Sequence, residues 1–246
     1  MNMLSKLRVA LHAKANPEKA RVLQRFFKTG KGEYAEGDVF LGITVPECRT
    51  VAKKYYNLPF KDIEKLLHSK IHEERLVALL LLVQRCSEIS QDVIPRKNSR
   101  PRILTWQRIV AAYLRNTHYV NNWDLVDLSA PKILGVAIFG GLTSKSILTQ
   151  FARSKNLWER RIAIVATLYF IQHNQFSETF RIARILLHDP HDLIHKAVGW
   201  MLREVGKRDF KLEEQFVRKY AATMPRTMLR YAIERWPEKL RKEVMR

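Results

Sequence analysis

No apolar stretch in this sequence is long enough to cross a membrane. The longest uninterrupted run, Leu76 to Val83, falls far short of the roughly 20 residues that span a bilayer, and it reads as one buried stripe of a helix. The N-terminus carries Lys6, Arg8 and Lys14 without the apolar block of a secretory signal. Cysteine is scarce: Cys48 and Cys86 are the only two, and they form no metal-type cluster. Together these absences predict a soluble, reduced, cytoplasmic protein. Almost no segment alternates with period two, which argues against a sheet. No glycine-rich phosphate loop and no nucleophile elbow is present. His72-Glu73-Glu74-Arg75 lacks the second histidine of a zinc-protease helix. Acidic residues are also in short supply, 24 against 44 Lys and Arg, leaving a formal charge of +20. A surplus of that size attracts polyanions and says nothing of the fold. DNA, RNA or an anionic membrane surface are the partners it suggests, and the membrane is the weakest of them.

What the chain does have is helical periodicity, punctuated every 12 to 20 residues. Asn16-Pro17-Glu18 reads as a cap with a first-turn proline, and Thr44-Val45-Pro46-Glu47 as a capping box. Helices are therefore predicted to begin near Pro17 and Val45. Others are expected over His72–Cys86, Ile103–Arg115, Trp123–Ala130 with an uneven continuation past Pro131, Ser144–Arg153, Leu157–His173, Ser177–Leu187, Asp192–Lys207, Phe210–Ala222 and Pro225–Arg235. Gly30–Asp38 and Ser87–Arg102 read as longer loops, the second ending in a basic stretch over residues 95–102. With 46% hydrophobic residues the chain can bury a sizeable core, and residues 1–246 are expected to form one elongated domain.

The second half carries a weak internal period. Asp127, Arg161 and Lys196 lie 34 and 35 residues apart, each early in a predicted helix. That spacing fits stacked helical pairs of the HEAT or TPR kind, an all-α solenoid whose concave face the three residues would line as successive rungs. Arg161 and Lys196 also fit ordinary solvated helix charges. Trp123 stands four residues before Asp127 and Trp200 four after Lys196, so each indole shares a helix face with its charged neighbour. Arg203 and Lys207 extend the second stripe. A tryptophan at such spacing is often core; cations beside it make the face better suited to a nucleic-acid strand.

Phe40-Leu41-Gly42-Ile43, Asn121-Asn122-Trp123-Asp124-Leu125-Val126-Asp127, Leu157-Trp158-Glu159-Arg160-Arg161, Lys196-Ala197-Val198-Gly199-Trp200-Met201-Leu202-Arg203-Glu204 and the stretch from Met224 to Glu234 resemble the AlkD family of DNA alkylation-repair glycosylases. The resemblance runs from about Asn16 to Trp236. It implies a HEAT-like α-α superhelix with a cationic concave groove for duplex DNA, and hydrolysis of the N-glycosidic bond of N3- or N7-alkylated purines, with the lesion remaining stacked. By motif, Asp127 falls on the family's catalytic carboxylate, Trp123 and Trp200 on the two tryptophans that contact the lesion's deoxyribose, and Arg161 on a groove arginine. Lys196, Arg203 and Lys207 are the further DNA-binding candidates. The basic stretch before Arg102 is longer than is usual in the family.

The chemistry suits so small a set. A cationic alkylpurine is already a good leaving group, so no acid is needed to protonate it. Positive charge develops on the sugar in the transition state, where a carboxylate such as Asp127 stabilises it and orients water. Tryptophan faces add roughly 0.5 to 2 kcal/mol for a well-placed cation. Asp124, one residue from Trp123, should point to another face and serve as a cap or in a salt bridge. His188, His191 and His195 suggest capping and phosphate contact rather than a metal, because Pro190 intervenes. No metal and no cofactor is expected. The expected partner is double-stranded DNA containing alkylated purines, bound by a monomer. The alternative is a non-catalytic helical-repeat module that binds nucleic acid through the same basic surface.

Overall fold

The computed structural model describes residues 1–96 and 100–245, with the helical backbone alone given for 91–96. The chain divides into two compact units, Met1–Ser129 and Ala130–Arg246. Each is built of helices, and the fold is all-α of the helical-repeat class. An isolated parallel bridge between Val39 and Ile71 stands outside any strand. Among the described residues no helix is long and apolar enough to cross a membrane.

The first unit holds α1 (Met3–His12), α2 (Pro17–Phe26), α3 (Val45–Lys54), α4 (Phe60–Leu67), α5 (His72–Arg96), α6 (Arg100–Arg115) and α7 (Trp123–Ala130, whose last residue falls across the division). Local chemistry sets the helix starts. Asn16 accepts the Lys19 N–H at 3.0 Å ahead of Pro17. Glu47 accepts the Thr44 N–H at 3.0 Å and its hydroxyl at 2.7 Å. Helix α5 is the axis, packing against α3, α4 and α6, and the whole run Leu76 to Val83 is buried in it.

The start of α5 explains why His72-Glu73-Glu74-Arg75 is there at all. All four side chains are buried, and each is tied to another part of the unit. Glu74 takes Arg8 of α1 through Nε at 3.0 Å and Nη2 at 2.9 Å. Arg75 donates to the Ser69 carbonyl at 2.8 Å and pairs with Asp38 at 2.6 Å. Glu73 accepts the backbone N–H groups of Leu41, Gly42 and Ile43 at 2.9, 2.8 and 3.2 Å. This holds the Phe40-Leu41-Gly42-Ile43 segment against the start of α2, where a Cβ on Gly42 would lie 2.2 Å from the Asn16 carbonyl oxygen. With φ at +81° as well, only glycine fits that position.

The second unit opens on a π turn at Pro131–Gly135 and holds α8 (Val136–Phe139), α9 (Ser146–Ala152), α10 (Leu157–Val165), α11 (Leu168–Gln172), α12 (Ser177–Ile185), α13 (Asp192–Gly206), α14 (Phe210–Tyr220), α15 (Arg226–Ala232) and α16 (Glu238–Val244). Its packing repeats. α9 pairs with α10 and α12 with α13, while α13 packs on α10 and on α15. Phe180 of α12 stacks on Phe216 of α14 at 4.9 Å. Two glycines mark the same kind of contact. A Cβ on Gly135 would lie 2.4 Å from the Ala166 carbonyl oxygen and 3.0 Å from Tyr169 Cβ; one on Gly199 would lie 2.5 Å from both the Met228 carbonyl oxygen and Tyr231 Cβ. Each helix thus brings bare backbone against a carbonyl and a tyrosine of a later helix.

Several expectations are revised. Residues 87–96 are helical rather than loop, because nothing from Ser87 to Ile94 breaks a helix and Cys86 and Ser90 continue the buried stripe of α5. The basic stretch 95–102 includes residues 97–99, which lie outside the described residues. The helix expected over Leu157–His173 is interrupted after Val165, where the buried Thr167 hydroxyl donates to the Ile164 carbonyl at 2.7 Å and competes with the helical ladder. Helices α1, α4 and α16 were not among those expected.

Candidate functional site

Helix α7 carries the first cluster. Asn122 is buried and accepts the Trp123 N–H at 2.8 Å, and Asn121 donates to Asp38 at 3.2 Å. The two asparagines therefore seat the helix start, and Trp123 and Asp127 follow one turn apart, both half-buried. The Trp123 ring stacks on Phe27 at 5.2 Å and 20° and meets Phe26 edge-on at 6.1 Å. Phe27 in turn stacks on Phe40 at 5.0 Å. So Trp123 roofs a small apolar cluster of Ala20, Leu23, Phe27 and Phe40 and is both packed and accessible. Beside it lies an apolar cavity of about 320 Å³ whose walls include Leu23, Phe26, Phe40 and Leu76, with Asp124 and His72 among its polar members.

Asp124 has the salt-bridge role expected of it. Its Oδ2 meets His72 Nε2 at 2.8 Å, and its Oδ1 accepts the Leu125 N–H at 2.8 Å. Phe26 escaped the sequence reading. It is 62% exposed, next to Trp123, on a helix that also bears Lys19, Arg21 and Arg25. Its signal was an apolar ring flanked by cations at the end of an amphipathic helix.

Helix α13 carries the second cluster, within the other unit. His191 caps it, its Nδ1 accepting the Leu193 N–H at 3.1 Å. His195 Nε2 lies 2.5 Å from the Asp189 carbonyl oxygen, so both histidines are spent on the turn. Lys196 pairs with Asp192 at 2.7 Å. Trp200, half-buried, donates from Nε1 to Glu204 at 3.1 Å, and Lys207 reaches the same oxygen at 2.6 Å. Arg203 bonds to Glu234 and lies 4.0 Å from Glu204. The sequence reading gave no role to Glu204, around which these groups gather.

Arg161 is placed differently from an exposed rung. It is 5% exposed, and Nη1 donates to the Leu193 carbonyl at 2.6 Å, joining α10 to the first turn of α13. Its neighbour Arg160 pairs with Asp189 at 2.6 Å. Arg161 is therefore built into the packing of its unit.

Burial pushes the thiols of Cys48 and Cys86 up to about 12, so neither is a ready nucleophile. Among the described residues no group of three or more His, Cys, Asp or Glu is placed to hold a metal ion.

Comparisons with known proteins bear on this arrangement. A family model described as DNA alkylation repair enzyme matches residues 7–236. No curated protein matches the chain significantly. The fold is similar to the solved structure of a predicted DNA alkylation repair enzyme from Enterococcus faecalis, with a TM-score of 0.67, 20% identity, and coverage of 92% of this chain and 98% of that one. At that identity the likeness speaks for the fold alone.

Proposed function

We propose, for a chain that belongs to the DNA alkylation repair enzyme family, that the reaction is hydrolysis of the N-glycosidic bond of cationic N3- or N7-alkylpurines in duplex DNA, carried out without extruding the base. The observation that carries this reading is the first turn and a half of α7. There an indole and a carboxylate stand four residues apart, both accessible, on a helix anchored by two asparagines and a histidine.

In this reading Asp127 is the catalytic carboxylate. The cationic base departs with the bonding electron pair and needs no proton. Charge develops at the anomeric carbon, and Asp127 opposes it while orienting the water that attacks. Trp123, one turn before Asp127, offers an aromatic face to the polarised sugar, and Trp200 is assigned the role its motif implies. Lys196, Arg203 and Lys207 serve the phosphates. The Lys196–Asp192 pair is exposed on both sides, and such a surface pair is worth only about 0 to 1 kcal/mol, so phosphate can displace it at little cost.

The test is Asp127→Asn, which keeps the shape and removes the charge. Loss of one preorganised electrostatic group costs about 3 to 4 kcal/mol, so single-turnover release of N7-methylguanine should fall by roughly two to three orders of magnitude, with duplex affinity level or slightly raised. A folded variant at the parental rate would remove Asp127 from the mechanism. A parent that binds alkylated duplex and releases no base would favour the binding module.

A further inference from the structure

We propose that His72 is a positioning residue for the α7 site, an imidazolium clamped between the carboxylates of Asp38 and Asp124 that fixes the first turn of α7 and with it Trp123 and Asp127. The proposal rests on the reading of those two residues given above. His72 itself is buried and does not reach the substrate.

The geometry defines the protonation state. His72 Nε2 lies 2.8 Å from Asp124 Oδ2, and Nδ1 lies 3.4 Å from Asp38 Oδ2. A neutral imidazole has one N–H to give. Two carboxylates, one at each ring nitrogen, both receive an imidazole N–H only from the doubly protonated ring. The charges around it balance: Arg75, on the same helix, pairs with Asp38 at 2.6 Å, and Asn121 adds a neutral donor to Asp38. Glu73 is occupied by backbone amides, Lys19 of α2 lines the same cavity, and the Cys48 thiol of α3, at about 12, is neutral.

His72 reaches α7 by two routes. The polar route is Asp124, adjacent to Trp123 in sequence. The apolar one is a stack in which the imidazole lies on Phe40 at 4.4 Å and near Phe27 at 5.3 Å, and Phe27 lies on Trp123 at 5.2 Å. A shift of the ring or loss of its charge acts on both the helix start and the indole.

Burial pushes the imidazole pKa down, but the charge and hydrogen bond of Asp124 and the hydrogen bond of Asp38 outweigh it and leave it above its ordinary value. A raised histidine pKa gives a contribution fully present below the unfolded value and lost as pH rises through the folded one. The clamp is thus closed at the ordinary histidine value of 6.5 and opens as pH rises through the raised one.

Two measurements decide the matter. In full-length protein with isotope-labelled histidine, NMR should show His72, assigned by its absence in His72→Gln, titrating above 6.5, and the Trp123 indole N–H should move with the same midpoint. In Asp124→Asn the His72 midpoint should fall. In the second, single-turnover release of N7-methylguanine should drop by up to about 100-fold in His72→Gln and lose its alkaline limb, the scale of effect that misplacing a site by about 1 Å produces. Affinity for the same duplex should change little, a split that mere unfolding would not give. Asp124→Asn, altered at the more exposed partner, serves if His72→Gln folds poorly. Titration of His72 at or below 6.5, or a Trp123 signal flat through it, overturns the clamp; so does a parental rate profile in folded His72→Gln. A parent inactive on every alkylated duplex refutes the functional reading instead, and the NMR titrations then decide the clamp alone.

Discussion

Gly199 offers a direct test of how the second unit is packed. It lies in the middle of α13, where alanine is ordinarily the better residue by about 1 kcal/mol. On propensity alone, Gly199→Ala should stabilise the protein. The structure demands the opposite. A Cβ there would stand 2.5 Å from both the Met228 carbonyl oxygen and Tyr231 Cβ, and 3.2 Å from the Ala232 nitrogen. Ordinary contact begins near 3.4 Å, and a carbonyl fixed in α15 cannot swing aside. The two helices would have to separate by nearly 1 Å. A gap of that size forfeits a quarter to a half of the dispersion energy of each contact, here along the packing of α13 on α15.

Overpacking of this kind costs about 1 to 3 kcal/mol beyond what the better helix former returns, and occasionally more. For a protein of this size each kcal/mol moves Tm by about 2 to 4 °C, so the variant should melt roughly 3 to 10 °C below the parent by circular dichroism. Because α13 also bears Trp200, Arg203 and Lys207, duplex affinity should weaken in the folded variant. A Tm equal to the parent's or higher would mean that propensity has won and that α13 and α15 do not approach as described.

Glu213 gives a pH dependence of defined sign. Burial pushes its carboxyl up to about 7, against the lowering pull of the Trp236 N–H and Arg203. The folded state therefore holds a proton that the unfolded chain loses near 4.5, and stability should fall by about 3 kcal/mol as pH rises from that value to about 7. Glu213→Gln should flatten this slope in denaturant titrations; an unchanged slope would clear Glu213 of it. Duplex affinity should decline steeply with salt, at about −0.9 per contacted phosphate on a log–log plot, and a flat plot would refute phosphate binding. Neutral lesions such as uracil or ethenoadenine should not be released, since the proposed site has no acid for the leaving base; efficient uracil release detected by chromatography would disprove that chemistry.

How far the sequence revealed this molecule depended on how local each signal was. The starts at Pro17 and Val45 were legible because caps and capping boxes act within one turn. The division into α10 and α11 was not, because a single threonine hydroxyl inside an apolar run decides it. Helix α16 has no buried residue and so leaves no apolar period to read. Gly42, Gly135 and Gly199 stand in the sequence as glycines and nothing more. Their meaning lies in what a Cβ would strike.

The same distinction separates the legible from the illegible parts of the candidate site. Trp123 and Asp127, and likewise Lys196, Trp200, Arg203 and Lys207, share faces at helical spacing, which a sequence displays. Their partners come from afar. His72 stands 52 residues from Asp124, and Phe26 and Phe27 lie far from Trp123 in the chain, so no spacing could announce them. Arg161 shows the converse: its position in the repeat is regular, but a guanidinium 5% exposed and bonded to the Leu193 carbonyl must serve packing whatever else it does. Periodicity locates a face and leaves open whether that face meets solvent, a ligand or another helix. In α13 it meets a carboxylate of its own helix: Trp200, Arg203 and Lys207 gather around Glu204, which holds the stripe in register.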